Sequence, residues 1–218
     1  TDVFFFSSQT LTTVGYGRIA PVGFLASMVA TFEAFLGLLG FAIATGLFYG
    51  RFSRPRAYLK FSKVALIVPF EGETALMFRM APFKNNLLTD AQVILTCAIE
   101  VPDDHSETKS KFFTLKTQLS QINTLSLNWT VVHKIDESSP FFELTKENFK
   151  MMDVEIFVHL RAFDEVFSNT VVQRTSYASK EKEIIFAQKF NKMYAASKSK
   201  KTTVLNLDLI DSYTPYSI

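Results

Sequence analysis

The sequence predicts two structural classes in one chain: a membrane-embedded α-helical element at the N-terminal end, followed by an all-β sandwich. Three observations carry this. From Val22 to Tyr49 the only charged residue is Glu33. Arg51, Arg54, Arg56, Lys60 and Lys63 follow at once, and no acidic residue falls between Glu33 and Glu71. After Ser62 the texture changes to short runs rich in Val, Ile, Phe and Thr, separated by charged and turn residues.

Of the 218 residues, 48% are hydrophobic, so a sizeable core is within reach and the class depends on how they are distributed. Cys97 is the sole cysteine, which excludes an intrachain disulfide and a cysteine zinc cluster and fits a reducing cytosolic side. The net charge of +2 says little globally and gives no reason to expect a nucleic-acid partner. "TDVFFFSSQT" lacks the grammar of a signal peptide, and the chain is read as a piece of a longer protein.

Taken in order, "DVFFFSSQTLT" suits a helix of about ten residues, too short to cross a bilayer, so it re-enters from the side it left. Irregular backbone at membrane depth survives only inside protein or around a water-filled path, which gives "TLTTVGYGRIAP" its reason to exist. Gly15 and Gly17 reach backbone angles closed to residues with a Cβ, so successive carbonyls can point one way. Four copies around an axis would stack oxygen rings from Thr13, Val14, Gly15 and Tyr16, and such rings replace the hydration shell of K+. The 28 residues from Val22 to Tyr49 reach about 42 Å as helix, more than the ~30 Å hydrocarbon core. The basic cluster behind them places the C-terminal end in the cytoplasm, and Pro55 marks the exit into a linker. Residues 1–50 are thus the membrane element, 51–62 a basic linker and 63–218 the β domain.

Strand-like runs in the β domain are "KVALIVPF", "TALMFRM", "AQVILTCAIEV", "FFTLKTQL", "LSLNWTVVHKI", "VEIFVHLRAF", "TVVQRTSYA", "EIIFAQKF" and "TTVLNLDLI". Several alternate with period two, as half-buried antiparallel strands do, and eight or nine of them argue for a sandwich. A short helix is expected near Thr145–Lys150, capped by Thr145, and an exposed turn at Ser197–Lys201. Cys97 lies within a strand pattern as an inert core residue.

"TVGYG", with a short aromatic helix before it and a transmembrane helix after it, resembles the selectivity filter of potassium channels. "GRFSRPRAYLKFS", "WTVVHKIDESSPFF" and "DEVFSNTVVQRTSY" together resemble the inward-rectifier family, most closely its bacterial branch. The resemblance implies a pore helix, a selectivity filter at Thr13, Val14, Gly15, Tyr16 and Gly17, and an inner transmembrane helix. It further implies a homotetramer with an immunoglobulin-like cytoplasmic sandwich on each subunit. Potassium is then the permeant ion bound at Thr13, Val14, Gly15 and Tyr16, with no cofactor and no enzymatic step. An outer helix and an interfacial helix belong upstream in the family, so the intact protein is expected to be multi-pass in the cell's plasma (inner) membrane. The alternative function is a membrane-anchored β-sandwich interaction module without conduction.

Family positions assign further roles. Tyr49, with Phe48 beside it, matches the bundle-crossing gate; its other reading is an interfacial aromatic anchor. Phe41 and Thr45 line the pore. Phe41 and Arg161 stand where strongly rectifying members carry acids, so polyamine rectification is expected to be weak. Gln9 and Ile19 replace a glutamate–arginine pair behind the filter, leaving neutral contacts to support it. Glu33 is expected to face the pore helix, and Gly37, Gly40 and Gly46 serve as close-packing or bending points. Arg51, Arg54, Arg56 and Lys60 are candidate contacts for anionic lipid headgroups, or topogenic charge. Glu165, Ser168, Asn169 and Arg174 map to the constriction loop, Glu165 pairing with Arg174, while Ala162 replaces a frequent glycine there. "HKIDESSP" is read as a structural turn rather than an acid/base or metal site.

Overall fold

The structure is a computed structural model and describes residues 1–84, 87–102, 108–195 and 203–216. The chain divides into two compact units, Thr1–Arg54 and Pro55–Ile218. The turn expected at Ser197–Lys201 lies outside the described residues, as does His105.

The first unit contains α1 (Asp2–Leu11) and α2 (Phe24–Phe52). At 29 residues α2 is about 43 Å long, enough to span a bilayer. Among its residues only Gly37 is buried, and apolar side chains such as Phe24, Leu25 and Leu47 stand exposed on it, as on a surface made for lipid or for neighbouring helices. The helix stops at Phe52, with Ser53 as C-cap, before Pro55 withdraws the α-region from Arg54.

The second unit is a two-sheet sandwich. One sheet is six-stranded, built from β1 (Leu59–Phe61), β2 (Ala65–Phe70), β3 (Glu73–Pro82), β7 (Trp129–Ile135), β10 (Ile184–Phe190) and β13 (Tyr213–Pro215). The other holds β4 (Leu88–Pro102), β5 (Thr108–Leu115), β6 (Gln121–Leu125), β8 (Val154–Asp164) and β9 (Asn169–Ala178). Among the described strand pairs only β2–β10 is parallel. Along β8 the alternation is clean: Val154, Ile156, Val158, Leu160 and Ala162 point into the core, with Phe78, Cys97, Trp129 and Tyr177 packed in the same cluster. Cys97 is fully buried, and burial pushes its thiol up to about 12, which makes it unreactive.

A short helix α3 (Lys146–Met151) sits where expected, with the Thr145 hydroxyl accepting from the Asn148 amide at 3.2 Å. Three runs differ from the expectation. "LSLNWTVVHKI" is broken between β6 and β7, because Leu125 and Trp129 are buried in separately paired strands. Leu59–Phe61, within the stretch read as linker, is strand β1, since Leu59 is buried and pairs with Pro82. "TTVLNLDLI" forms only β12 (Val204–Leu205), paired with β11 (Tyr194–Ala195), before a 3-10 turn Leu207–Leu209. There Asn206 Oδ1 accepts from the Asp208 amide, so side-chain capping competes with the strand that the leucine spacing suggests.

Candidate functional site: the loop between α1 and α2

Helix α1 hands the chain to the loop through Gln9. The Gln9 carbonyl accepts from the Val14 amide at 2.9 Å and from the Gly15 amide at 3.2 Å, while Gln9 Oε1 accepts from the Tyr16 amide at 3.0 Å. Three successive N–H groups are therefore turned back toward the helix end. The backbone alternates in handedness, with φ of 62° at Thr13, 52° at Gly15 and 77° at Gly17. Positive φ is inexpensive at the two glycines but strained at β-branched Thr13, typically by about 1–3 kcal/mol. The Thr13 amide is held by the Thr10 carbonyl at 3.1 Å. The sequence pointed to Thr13 as an ion ligand and to the glycines for positive φ, and missed that Thr13 shares that conformation.

Two contacts fix α1 on α2. The Ser7 hydroxyl donates to Glu33 Oε1, and the backbone of Leu11 lies against Gly37, where a Cβ would run into the Leu11 carbonyl. Both pairs are spaced by one helical turn, so the two helices run in the same direction where they touch. Glu33 thus faces the short helix as expected, and Gly37 is a close-packing point. At Gly40 and Gly46 a Cβ would meet nothing within 4 Å beyond the neighbouring backbone of its own helix, among the described residues.

On the rest of α2, Phe41, Thr45 and Tyr49 recur every fourth residue along one flank, all exposed, and Phe48 stacks on Phe52 at 6.3 Å between ring centroids. Arg51, Arg54 and Arg56 are exposed. Lys60 is half-buried, and its ammonium donates to the Leu207 carbonyl at 3.1 Å, closing the end of the 3-10 turn.

In the β unit, Arg161 is exposed on β8 and lines a cavity of about 460 Å³ with Asp90, Gln92, Gln121 and Thr170. Asp90 went unnoticed in the sequence; it sits at the β4 bulge with φ of 48°, and the bulge brings it beside Arg161. The β8–β9 turn is organised by another residue not singled out: Asp164, buried, whose Oδ1 accepts from the Val166 amide at 2.9 Å and the Phe167 amide at 3.2 Å. Ser168 closes the turn with φ of 46°, and Asn169 Oδ1 accepts from the Thr170 amide. Buried Ala162 occupies a strand position inside the core.

The Glu165–Arg174 pair is corrected. Arg174 Nε donates instead to His159 Nδ1 at 3.2 Å, because these two residues are directly opposite on β8 and β9, whereas Glu165 lies in the turn. "HKIDESSP" is a structural turn: His133 Nδ1 meets the Lys116 carbonyl at 2.7 Å and Nε2 meets Ser139 Oγ at 2.9 Å, so both ring nitrogens are occupied. Burial pushes the His133 pKa down, only partly opposed by the Lys116 carbonyl and Asp136. Arg79 was also missed; it is buried, donates to the Asn191 carbonyl at 2.7 Å and lies 4.3 Å from the Phe190 ring centroid, and desolvation lowers its pKa.

Comparison with known proteins adds a consistent picture. The family model described as "Inward rectifier potassium channel C-terminal domain" matches residues 59–214, and one described as "Ion channel" matches residues 1–54. The chain is 37% identical to the inward rectifier potassium channel Kirbac3.1 of Paramagnetospirillum magnetotacticum, over 83% of this chain and 61% of that protein. It is 29% identical to the G protein-activated inward rectifier potassium channel 1 of Bos taurus and of Homo sapiens, over 87% of this chain and 39% of each relative. The chain therefore spans about three fifths or less of the curated relatives it matches.

Proposed function

Because the chain belongs to the inward rectifier potassium channel family, we propose that it supplies the filter, inner helix and cytoplasmic domain of a homotetrameric, multi-pass potassium channel of the plasma membrane. The observation that carries this reading is the capture of the Val14, Gly15 and Tyr16 amides by Gln9, beside left-handed backbone at Thr13, Gly15 and Gly17. With the amides drawn to the helix, the carbonyls of Thr13 to Tyr16 are the side left to ligate an ion. Four chains around an axis then present stacked oxygen rings to dehydrated K+, the permeant ion.

Phe41 and Thr45 line the inner pathway in this reading, and rings of Phe48 and Tyr49 close it by excluding water. Arg51, Arg54 and Arg56 meet anionic headgroups, each adding about 1 kcal/mol of attraction near the surface. Lys60 joins them with the ammonium donors left over from its bond to the Leu207 carbonyl. The β8–β9 turn with Glu165, Ser168 and Asn169 is the cytoplasmic constriction, steadied by Arg174 from β9. Arg161 offsets Asp90 within one cavity, so spermine at micromolar concentration is expected to give no steep block.

The test is reconstitution of the full-length protein in liposomes. Barium-sensitive K+ flux that excludes Na+, together with crosslinking to a tetramer, is the expected result. A monomer without flux would assign the helix to tethering and the β domain to binding.

A further inference from the structure

The core side of β9 carries Val171, Gln173, Thr175 and Tyr177, and the alternation that buries Val171 and Tyr177 leaves an amide between them, opposite the core residue Leu160. An amide on that side needs partners, and Gln173 finds them on β1, the edge strand of the other sheet. The Tyr58 carbonyl accepts from the Phe83 amide at 2.9 Å, and the Ser62 amide donates to the Arg79 carbonyl at 2.8 Å. Residues 58 and 62 thus face β3, so Leu59, one step along from Tyr58, turns its N–H and C=O away from it. Its cross-strand partner, Pro82, has no N–H to offer in any case.

Gln173 closes this edge from both sides. Its Oε1 accepts from the Leu59 amide at 3.3 Å and its Nε2 donates to the Leu59 carbonyl at 2.8 Å, so the side chain takes the place of a peptide group on a neighbouring strand. Only one orientation of the amide satisfies both bonds. Leu59 itself is buried, which leaves water little access as a substitute. Four residues further along β9, the Tyr177 hydroxyl donates to the Ser62 carbonyl at 2.9 Å. Two side chains about 13 Å apart on β9 therefore hold residues 59 and 62, the end of the stretch that follows the spanning helix in the chain. At its other end β9 begins at Asn169, paired with Asp164 across the β8–β9 turn.

We propose that Gln173 is a positioning residue that couples the β8–β9 turn to the linker end: through its two bonds to Leu59, a displacement of β9 at the turn is carried to residues 59–62, and the reverse. Tyr177 is the fixed point of this arrangement, being buried with its hydroxyl bonded, while Gln173 stands nearer the turn and is half-buried. The effect of Gln173 on current rests on the channel reading above. Its hold on Leu59 does not.

The experiment is a double-mutant cycle in the full-length protein, read by hydrogen exchange at the Leu59 amide and by K+ flux in liposomes. Gln173→Met keeps the length and apolar packing of the side chain and removes both bonds. Gln173→Glu keeps the acceptor for the Leu59 amide but sets a carboxylate against the Leu59 carbonyl, and serves if the first variant fails to fold. Asp164→Ala loosens the β8–β9 turn. Exchange at Leu59 should quicken about tenfold in Gln173→Met, the scale of a lost hydrogen bond of ordinary strength, with the β8 core amides still protected. Asp164→Ala should quicken Leu59 exchange by about threefold while Gln173 is present and leave it unchanged in Gln173→Met, and its effect on flux should shrink in the same way. Unchanged Leu59 exchange in Gln173→Met overturns the clasp. Additive effects of the two substitutions on that exchange reduce Gln173 to local packing and overturn the coupling. A non-additive exchange cycle with no flux from any protein supports the coupling and removes the channel reading.

Discussion

Gly37→Ala tests the seat of the loop between α1 and α2 directly. A Cβ at this position would overlap the Leu11 carbonyl oxygen and lie 2.7 Å from the carbonyl carbon, nearer than the 3.0 Å below which something must shift. The obstacle is backbone at the last residue of α1 rather than a side chain that can rotate away. Overpacking of this kind costs about 1–3 kcal/mol, and here the strain falls two residues before Thr13, whose left-handed φ depends on where α1 ends. In contrast, Gly40→Ala and Gly46→Ala meet nothing within 4 Å beyond the neighbouring backbone of their own helix, among the described residues, and alanine is the better helix former by about 0.5–1 kcal/mol. The assay is thermal unfolding of the reconstituted full-length protein, paired with the ratio of K+ to Na+ flux. Gly37→Ala should melt lower and lose selectivity, while the two controls hold the parent values or rise. A Gly37→Ala protein with parent stability and parent selectivity refutes the claim that this contact seats the loop.

Three further outcomes follow from the same geometry. Gln9→Ala removes the acceptor of the Tyr16 amide, a hydrogen bond worth about 0.5–1.5 kcal/mol, and should reduce K+ over Na+ discrimination in the flux assay more than it reduces total flux. Asp164→Ala removes the acceptor for the Val166 and Phe167 amides, and hydrogen exchange at those two amides should accelerate at least tenfold while β8 core amides stay protected. His133 is buried neutral with its pKa held down, so below the ordinary histidine value of roughly 6.5 the unfolded chain binds more protons than the folded one. Stability is therefore complete above that pH and falls as the pH drops through it; urea midpoints measured from pH 8 to 5 should decline in the parent and decline less in His133→Gln.

Much of the membrane element was legible because its signals are local. An apolar run with one acid, a basic cluster and Pro55 place α2 within a few residues. Gln9 was legible as a neutral support through the family resemblance, which marks its position behind the loop as one where many members carry a glutamate. Glu33 was legible by its isolation, although its partner Ser7 was not, since Ser8, Thr10 and Thr12 carry the same hydroxyl on neighbouring faces of the same short helix and its end. The left-handed backbone of Thr13 was hidden for the opposite reason. β-branched residues avoid positive φ, so propensity argues against what the Thr10 and Gln9 carbonyls impose there.

In the β unit the strand cores follow from alternation, but the residues that matter most at its turn depend on register. Arg174 meets His159 rather than Glu165 because the hairpin pairs Asp164 with Asn169, and the same number of steps back along both strands sets His159 opposite Arg174. A sequence shows that Arg174 and Glu165 carry opposite charges, and charge alone favours the pair that the register forbids. Asp90 reaches the Arg161 cavity only through a β4 bulge, and Arg79 reads as the polar side of a strand until the segment ending at Asn191 covers it. Side chains whose roles depend on pairing across the sheet are therefore the ones sequence patterning misassigns, and in this chain they include Arg174, Asp90 and Arg79.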